Sequence, residues 1–77
     1  MDTLTRLEQT VIARLAADPE ASYVAALHRR GLPVIARKLG EEAVETIIAA
    51  LSGSREELVG EAADVLFHLT VLLGEKG

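Results

Sequence analysis

The sequence predicts an all-α domain, an antiparallel helical hairpin with two further helices that dimerises into a helical bundle. Apolar residues make up 49% of the chain but aromatics only 3%, and alanine, leucine and valine dominate, which suits packed helices better than sheets. The apolar residues recur at helical spacing, and start and stop signals divide them into four segments. No internal repeat, low-complexity tract or linker interrupts this order.

Leu4, Leu7, Val11, Ile12 and Leu15 mark the first helix between Thr3 and Ala17. Asp18-Pro19 ends it, because proline disfavours helix in the residue before it. Ser22 caps a short second helix through Arg30, and Gly31 follows where a left-handed residue is welcome. Pro33 fits the first turn of a third helix that runs to about Leu51 and closes at Ser52-Gly53. Gly40 inside it costs about 1 kcal/mol. Ser54 followed three residues later by Glu57 reads as a capping box, which opens a fourth helix continuing to about Leu73, with Gly74 as its stop.

A chain of 77 residues allows one domain, of a size at which a single core rarely supplies more than about 3–5 kcal/mol. Without any cysteine, disulfides and thiolate metal sites are excluded, so oligomerisation and an oxygen-ligated metal remain as sources of further stability. The net charge of −4 argues against a nucleic-acid partner. Charges at Asp2, Arg6, Glu8 and Arg14 leave no apolar stretch for a signal peptide, and no span approaches the roughly 20 apolar residues of a membrane helix. A cytoplasmic protein without a membrane partner is expected.

The third helix is apolar over most of its circumference, through Ile35, Leu39, Ala43, Val44, Ile47, Ile48 and Leu51. A chain this short has too few other helices to cover it and the fourth helix as well, which predicts a homo-oligomer, most simply a homodimer. Each of the two long helices also carries one polar seam. Lys38, Glu41, Glu42 and Glu45 fall within an arc of about 100°, and Glu57, Glu61, Asp64 and His68 within about 60°.

Glu42 with Glu45, and Glu61 with Asp64, are acidic pairs at spacing i, i+3, so each pair shares one helix face. In an antiparallel hairpin closed at Ser52 to Ser54, positions whose numbers sum to about 107 lie level. Glu45 then faces Glu61, Glu42 faces Asp64, and Lys38 faces His68. Four facing carboxylates repel one another unless a cation holds them, and hard oxygen ligands point to Mg²⁺ or Mn²⁺. Spacing alone fits a solvated helix face equally well. The ion is favoured by the surroundings, since the acids interrupt apolar helices and only Lys38 lies in the seam to pair with them. His68 reads either as a ring packed beside the core or as a catalytic group.

The run Lys38-Leu39-Gly40-Glu41-Glu42-Ala43-Val44-Glu45, followed by Glu61-Ala62-Ala63-Asp64-Val65-Leu66-Phe67-His68-Leu69, resembles the phosphoribosyl-ATP pyrophosphohydrolase family of histidine biosynthesis. That family is one of the all-α, MazG-like nucleoside triphosphate pyrophosphohydrolases, marked by an ExxE pair, a spacer and an ExxD pair that bind Mg²⁺. Ser22-Tyr23, Ala26-Leu27 and Gly31 resemble the family's segment before the acidic helix, so the likeness runs from Leu4 to Leu73. Val24 departs from it, standing where relatives often carry threonine. The chain also ends at Gly77, where family members commonly continue into another short helical segment, so residues 1–77 are expected to be one pyrophosphohydrolase domain in a truncated or a compact form.

The resemblance implies hydrolysis of the α,β-phosphoanhydride of phosphoribosyl-ATP to phosphoribosyl-AMP and pyrophosphate. It implies Glu42, Glu45, Glu61 and Asp64 as metal ligands, with Glu41, Glu45 and His68 as candidate catalytic groups. Lys38 is placed to meet a phosphate, Arg29, Arg30 and Arg37 are candidates for the phosphoribosyl end, and Ser22 and Tyr23 complete the expected substrate contacts. Two rivals share the motif or the fold. One is a house-cleaning pyrophosphohydrolase acting on damaged or excess nucleoside triphosphates, and the other is a helical dimerisation module without catalysis.

Overall fold

The computed structural model describes residues 2–18 and 22–77. Among them it holds four α-helices, α1 (Thr3–Leu15), α2 (Tyr23–Arg30), α3 (Leu32–Ser52) and α4 (Arg55–Lys76). The expected all-α class and helix order are both present. Pro19, expected to break the chain after the first helix, lies outside the described residues.

Local chemistry sets each start. Asp2 caps α1 by accepting from the Thr5 amide at 2.7 Å, and that bond, helped by the Thr5 hydroxyl, holds the Asp2 carboxyl below its usual range. Ser22 caps α2 through the Ala25 amide, and Ser54 caps α4 through the Glu57 amide. Between α2 and α3 the chain turns at Gly31, whose φ of 98° lies where side chains are strained. One residue thus ends α2 and begins α3, with Pro33 in the first turn of the latter. Gly53 turns the hairpin for a steric reason, since a Cβ there would come within 3.0 Å of the Ala49 carbonyl oxygen.

Two boundaries differ from expectation. The first helix stops at Leu15, two residues early, with Ala16 and Ala17 in a turn. The fourth passes through Gly74 to Lys76 rather than ending before it. Gly74 is a packing residue, because a Cβ there would lie 3.3 Å from Leu15 Cδ1 and 3.6 Å from Val11 Cγ1. The close approach of α1 offsets the helix propensity that glycine lacks.

The core forms where α1, α2, the start of α3 and the C-terminal half of α4 meet. Val11, Val24, Leu27, Ile35 and Val71 are buried there, with Leu7, Leu15, Val34, Phe67 and Leu72 packed around them. No such cover extends to the hairpin end. Ala49 is buried between the long helices, but Val44, Ile47, Ile48 and Leu51 of α3 and Val59 of α4 stand exposed. The hairpin therefore carries a cleft at its closed end and a bare apolar surface beside it.

Candidate functional site

Glu42 and Glu45 project from α3, and Glu61 from the first half of α4, because the short turn at Ser52 to Ser54 folds the helices back on one another with their polar seams facing. One carboxylate oxygen from each of these three acids lies within 4.8 Å of the others. Of the four carboxylates expected to face one another from the i, i+3 pairs, these three come together and Asp64 does not join them. Glu42 Oε2 and Glu61 Oε2 are shut off from solvent and have no hydrogen-bond partner among the described residues. Buried acceptors without donors are costly, a cost that a cation or a proton in the site would remove.

The electrostatics agree. Burial raises the Glu42 pKa above the usual carboxylate range, and the neighbouring charge and hydrogen bonding of Glu45, then the charge of Asp64, add to it, while His68 opposes. The Glu61 pKa is pushed up to about 7, chiefly by hydrogen bonding with Glu45, then by burial and the charges of Glu45 and Glu42. Like charges confined together disfavour ionisation until a cation enters. Oxygen donors alone, with no thiolate and no imidazole among the three, match the preference of Mg²⁺ or Mn²⁺.

Asp64 is exposed and stands outside the three-carboxylate group, although its charge is felt at Glu42. Glu41 is exposed and also outside it. The sequence placed Lys38 opposite His68, yet the partners of His68 are two others: Nδ1 lies 2.7 Å from the Asp64 carbonyl oxygen and Nε2 lies 3.3 Å from the Tyr23 hydroxyl. Ser22 is buried and engaged in capping α2. Lys38 is half-buried, whereas Arg29, Arg30 and Arg37 are exposed. The count of 100° per residue puts Arg37 about 140° around α3 from Glu42, away from the acids.

A cleft of about 580 Å³ adjoins the acids, lined by Glu45, Glu61 and Asp64 and continuing past Ile48, Ala49, Glu57 and Gly60 to the hairpin turn. Glu57 and Gly60 were not anticipated as site residues. Glu57 was legible as a capping residue in the same polar arc, and Gly60 as a glycine interior to a helix, where the missing side chain leaves open space.

A family model described as phosphoribosyl-ATP pyrophosphohydrolase matches residues 4–77. The chain is 64% identical over 77 residues to the phosphoribosyl-ATP pyrophosphatase of Erythrobacter litoralis, covering 100% of this chain and 74% of the relative. It is 65% identical over 75 residues to that of Rhizorhabdus wittichii, covering 97% and 71%. The histidine biosynthesis bifunctional protein HisIE of Vibrio cholerae is 51% identical over 74 residues, 96% of this chain and 35% of that longer protein. With an ExxE pair on one arm of an all-α hairpin, an ExxD pair on the other and a match along nearly its whole length, the chain belongs to the phosphoribosyl-ATP pyrophosphohydrolase family.

Proposed function

We propose that this chain hydrolyses phosphoribosyl-ATP to phosphoribosyl-AMP and pyrophosphate in histidine biosynthesis, with Mg²⁺ as cofactor and Mn²⁺ as a substitute. The observation that carries the reading is the convergence of Glu42, Glu45 and Glu61, with one oxygen of Glu42 and one of Glu61 buried and unpartnered. Glu42, Glu45 and Glu61 hold the ion, and Asp64, one turn from Glu61, joins them. When bound, the ion supplies neutralisation of the phosphoanhydride's charge and a lowered pKa for water.

The chain's own residues do the rest. Water adds its oxygen to a phosphorus of the α,β-anhydride, the bond from that phosphorus to the bridging oxygen breaks, and pyrophosphate departs. Glu45, exposed at the cleft, takes the proton of the attacking water, and Glu41, about 40° from it around α3 but outside the three-carboxylate group, is the other candidate for that role. Lys38 meets a phosphate as a point charge, and Arg29 and Arg30 at the end of α2 receive the phosphoribosyl end.

The working form is a homodimer in the cytoplasm. Ile47 is 59% exposed and Leu51 83%, so α3 presents an apolar face that none of the described residues covers. The accessible area of 5257 Å² exceeds the roughly 4,500 Å² expected for a protein of this mass. A radius of gyration of 13.1 Å likewise exceeds the roughly 11.5 Å of a self-contained domain of this length. Among the described residues no helix is long and apolar enough to cross a membrane.

Pyrophosphate release measured with Mg²⁺ from phosphoribosyl-ATP, beside ATP, dUTP and dCTP at equal concentration, tests the assignment. Selective release from phosphoribosyl-ATP is expected. Equal release from the others would make the chain a house-cleaning enzyme, and none from any would leave a helical module without catalysis.

A further inference from the structure

The chain has one tyrosine and one phenylalanine, and both lie against His68. Tyr23 stacks on Phe67 with ring centroids 5.9 Å apart and planes inclined by 24°. The His68 ring meets the Phe67 ring edge to face at 5.1 Å. His68 is buried at 5% exposure, and both its nitrogens have partners. The partner of Nδ1 is a carbonyl oxygen, which only accepts, so Nδ1 carries the proton. In the neutral ring Nε2 is then bare and accepts from the Tyr23 hydroxyl. A continuous chain of donors runs from the first residue of α2, through the imidazole, to the backbone of Asp64.

The direction of this chain matters because of what shares its helix face. Glu61 is seven residues before His68 and Asp64 four before it, so all three lie within about 60° around α4. Any rotation of α4 about its axis moves them together. A side-chain tip about 6 Å from the axis travels about 2 Å for a 20° turn, as far as the whole length of a Mg²⁺ to oxygen bond. A second tie, His28 Nδ1 to Glu75 Oε2 at 2.7 Å, joins the other end of α2 to α4. Tyr23 precedes His28 as His68 precedes Glu75, so the two side-chain ties join α2 to α4 at two heights and in the same chain direction.

We infer that Tyr23 and His68 are positioning residues, forming a strut from α2 that sets the rotation of α4 and so holds Glu61 and Asp64 in register with Glu42 and Glu45 for a divalent ion. This rests on the metal-dependent reading above, and it replaces the substrate contact expected of Tyr23 and the catalytic role expected of His68. The Tyr23 hydroxyl acts through the ring, and the ring through the Asp64 backbone. Neither has to touch substrate.

The test is the affinity for Mn²⁺ alone, by titration calorimetry without substrate, in Tyr23→Phe, His68→Asn and the double variant. Tyr23→Phe keeps the stack on Phe67 and removes only the hydroxyl, while His68→Asn keeps a donor near the Nδ1 position and removes Nε2. Each is expected to weaken Mn²⁺ binding about tenfold, as loss of an outer hydrogen bond around metal ligands does. The double variant should be no weaker than either single one, since all three break the same chain. Melting in chelator should be nearly unchanged for Tyr23→Phe, and kcat for phosphoribosyl-ATP should fall with KM unchanged. Wild-type Mn²⁺ affinity in Tyr23→Phe, with a raised KM, would overturn the strut in favour of a substrate contact. A loss of affinity that tracks a fall in chelator melting temperature would reduce both residues to scaffold. Absence of Mn²⁺ binding in the wild type would instead sink the metal reading itself, and the strut with it.

Discussion

Glu45 on α3 faces Glu61 on α4, and hydrogen bonding between their carboxyl groups is the largest cause of a Glu61 pKa of about 7. The unfolded chain releases that proton near 4.5, so between the two values the native state binds more protons than the unfolded state. Stability then falls as pH rises through this window, the reverse of the usual carboxylate. In chelator, the melting temperature should be higher at pH 5.5 than at pH 8. Glu61→Gln should flatten the difference, and saturating Mg²⁺ should remove it by replacing the proton. Calorimetric melts at the two pH values check all three.

Replacing one acid separates the site from the scaffold. Glu61→Gln relieves repulsion at pH 8 while removing a ligand oxygen, so it should melt at or above the wild-type temperature in chelator. It should lose most of the rise that Mg²⁺ gives, and turnover should fall at least a hundredfold, or about 2.7 kcal/mol in transition-state stabilisation. Circular dichroism should stay helical. A variant that unfolds would make Glu61 structural. Asp64→Asn, outside the converged group, should keep more of the Mg²⁺ response than Glu61→Gln.

Close approach of α1 to Gly74 gives a size series. Alanine there gains about 1 kcal/mol of helix propensity and meets the flexible end of Leu15 at 3.3 Å, so the two effects should nearly cancel. Valine extends further into α1 and should cost about 1–3 kcal/mol. For a chain this short each kcal/mol moves the melting temperature by about 4–8 °C, well within reach of a thermal scan.

Gly74 also shows where the sequence stops being informative. A glycine after an apolar run is read locally as a helix stop, but the deciding contact comes from Leu15, on a helix 59 positions away. Caps are different in kind. Ser22, Ser54 and Gly31 act on neighbours within three or four residues, so their signals predict the helix starts directly. The acid pairs were legible for a related reason, since a short hairpin turn fixes register by counting, and Glu45 does meet Glu61. Counting gives level but not side-chain direction, and so it placed Lys38 opposite His68, whose nitrogens go to Tyr23 and Asp64. The Tyr23 link spans 45 positions and leaves no periodic trace.

Gly60 and Gly40 both have open space where a Cβ would stand, yet alanine should act differently at each. At Gly60, on the cleft wall, Gly60→Ala gains about 1 kcal/mol of helix propensity and narrows the space beside Glu61. The expected result is a higher melting temperature together with a raised KM. Steady-state kinetics and a thermal scan on one preparation check both halves.

Gly40 lies on the same exposed side of α3 as Val44, Ile47 and Leu51, which the count of 100° per residue places within about 60° of one another. A second copy packed on this face would bring its helix closest where the side chain is missing. Gly40→Ala should therefore weaken the dimer although it favours the helix. Ile47→Glu, which sets a carboxylate in the middle of the face, should give a monomer that stays helical. Sedimentation over a concentration series distinguishes the cases. A chain that sediments as a monomer even in its wild-type form would leave the apolar face without the partner proposed for it.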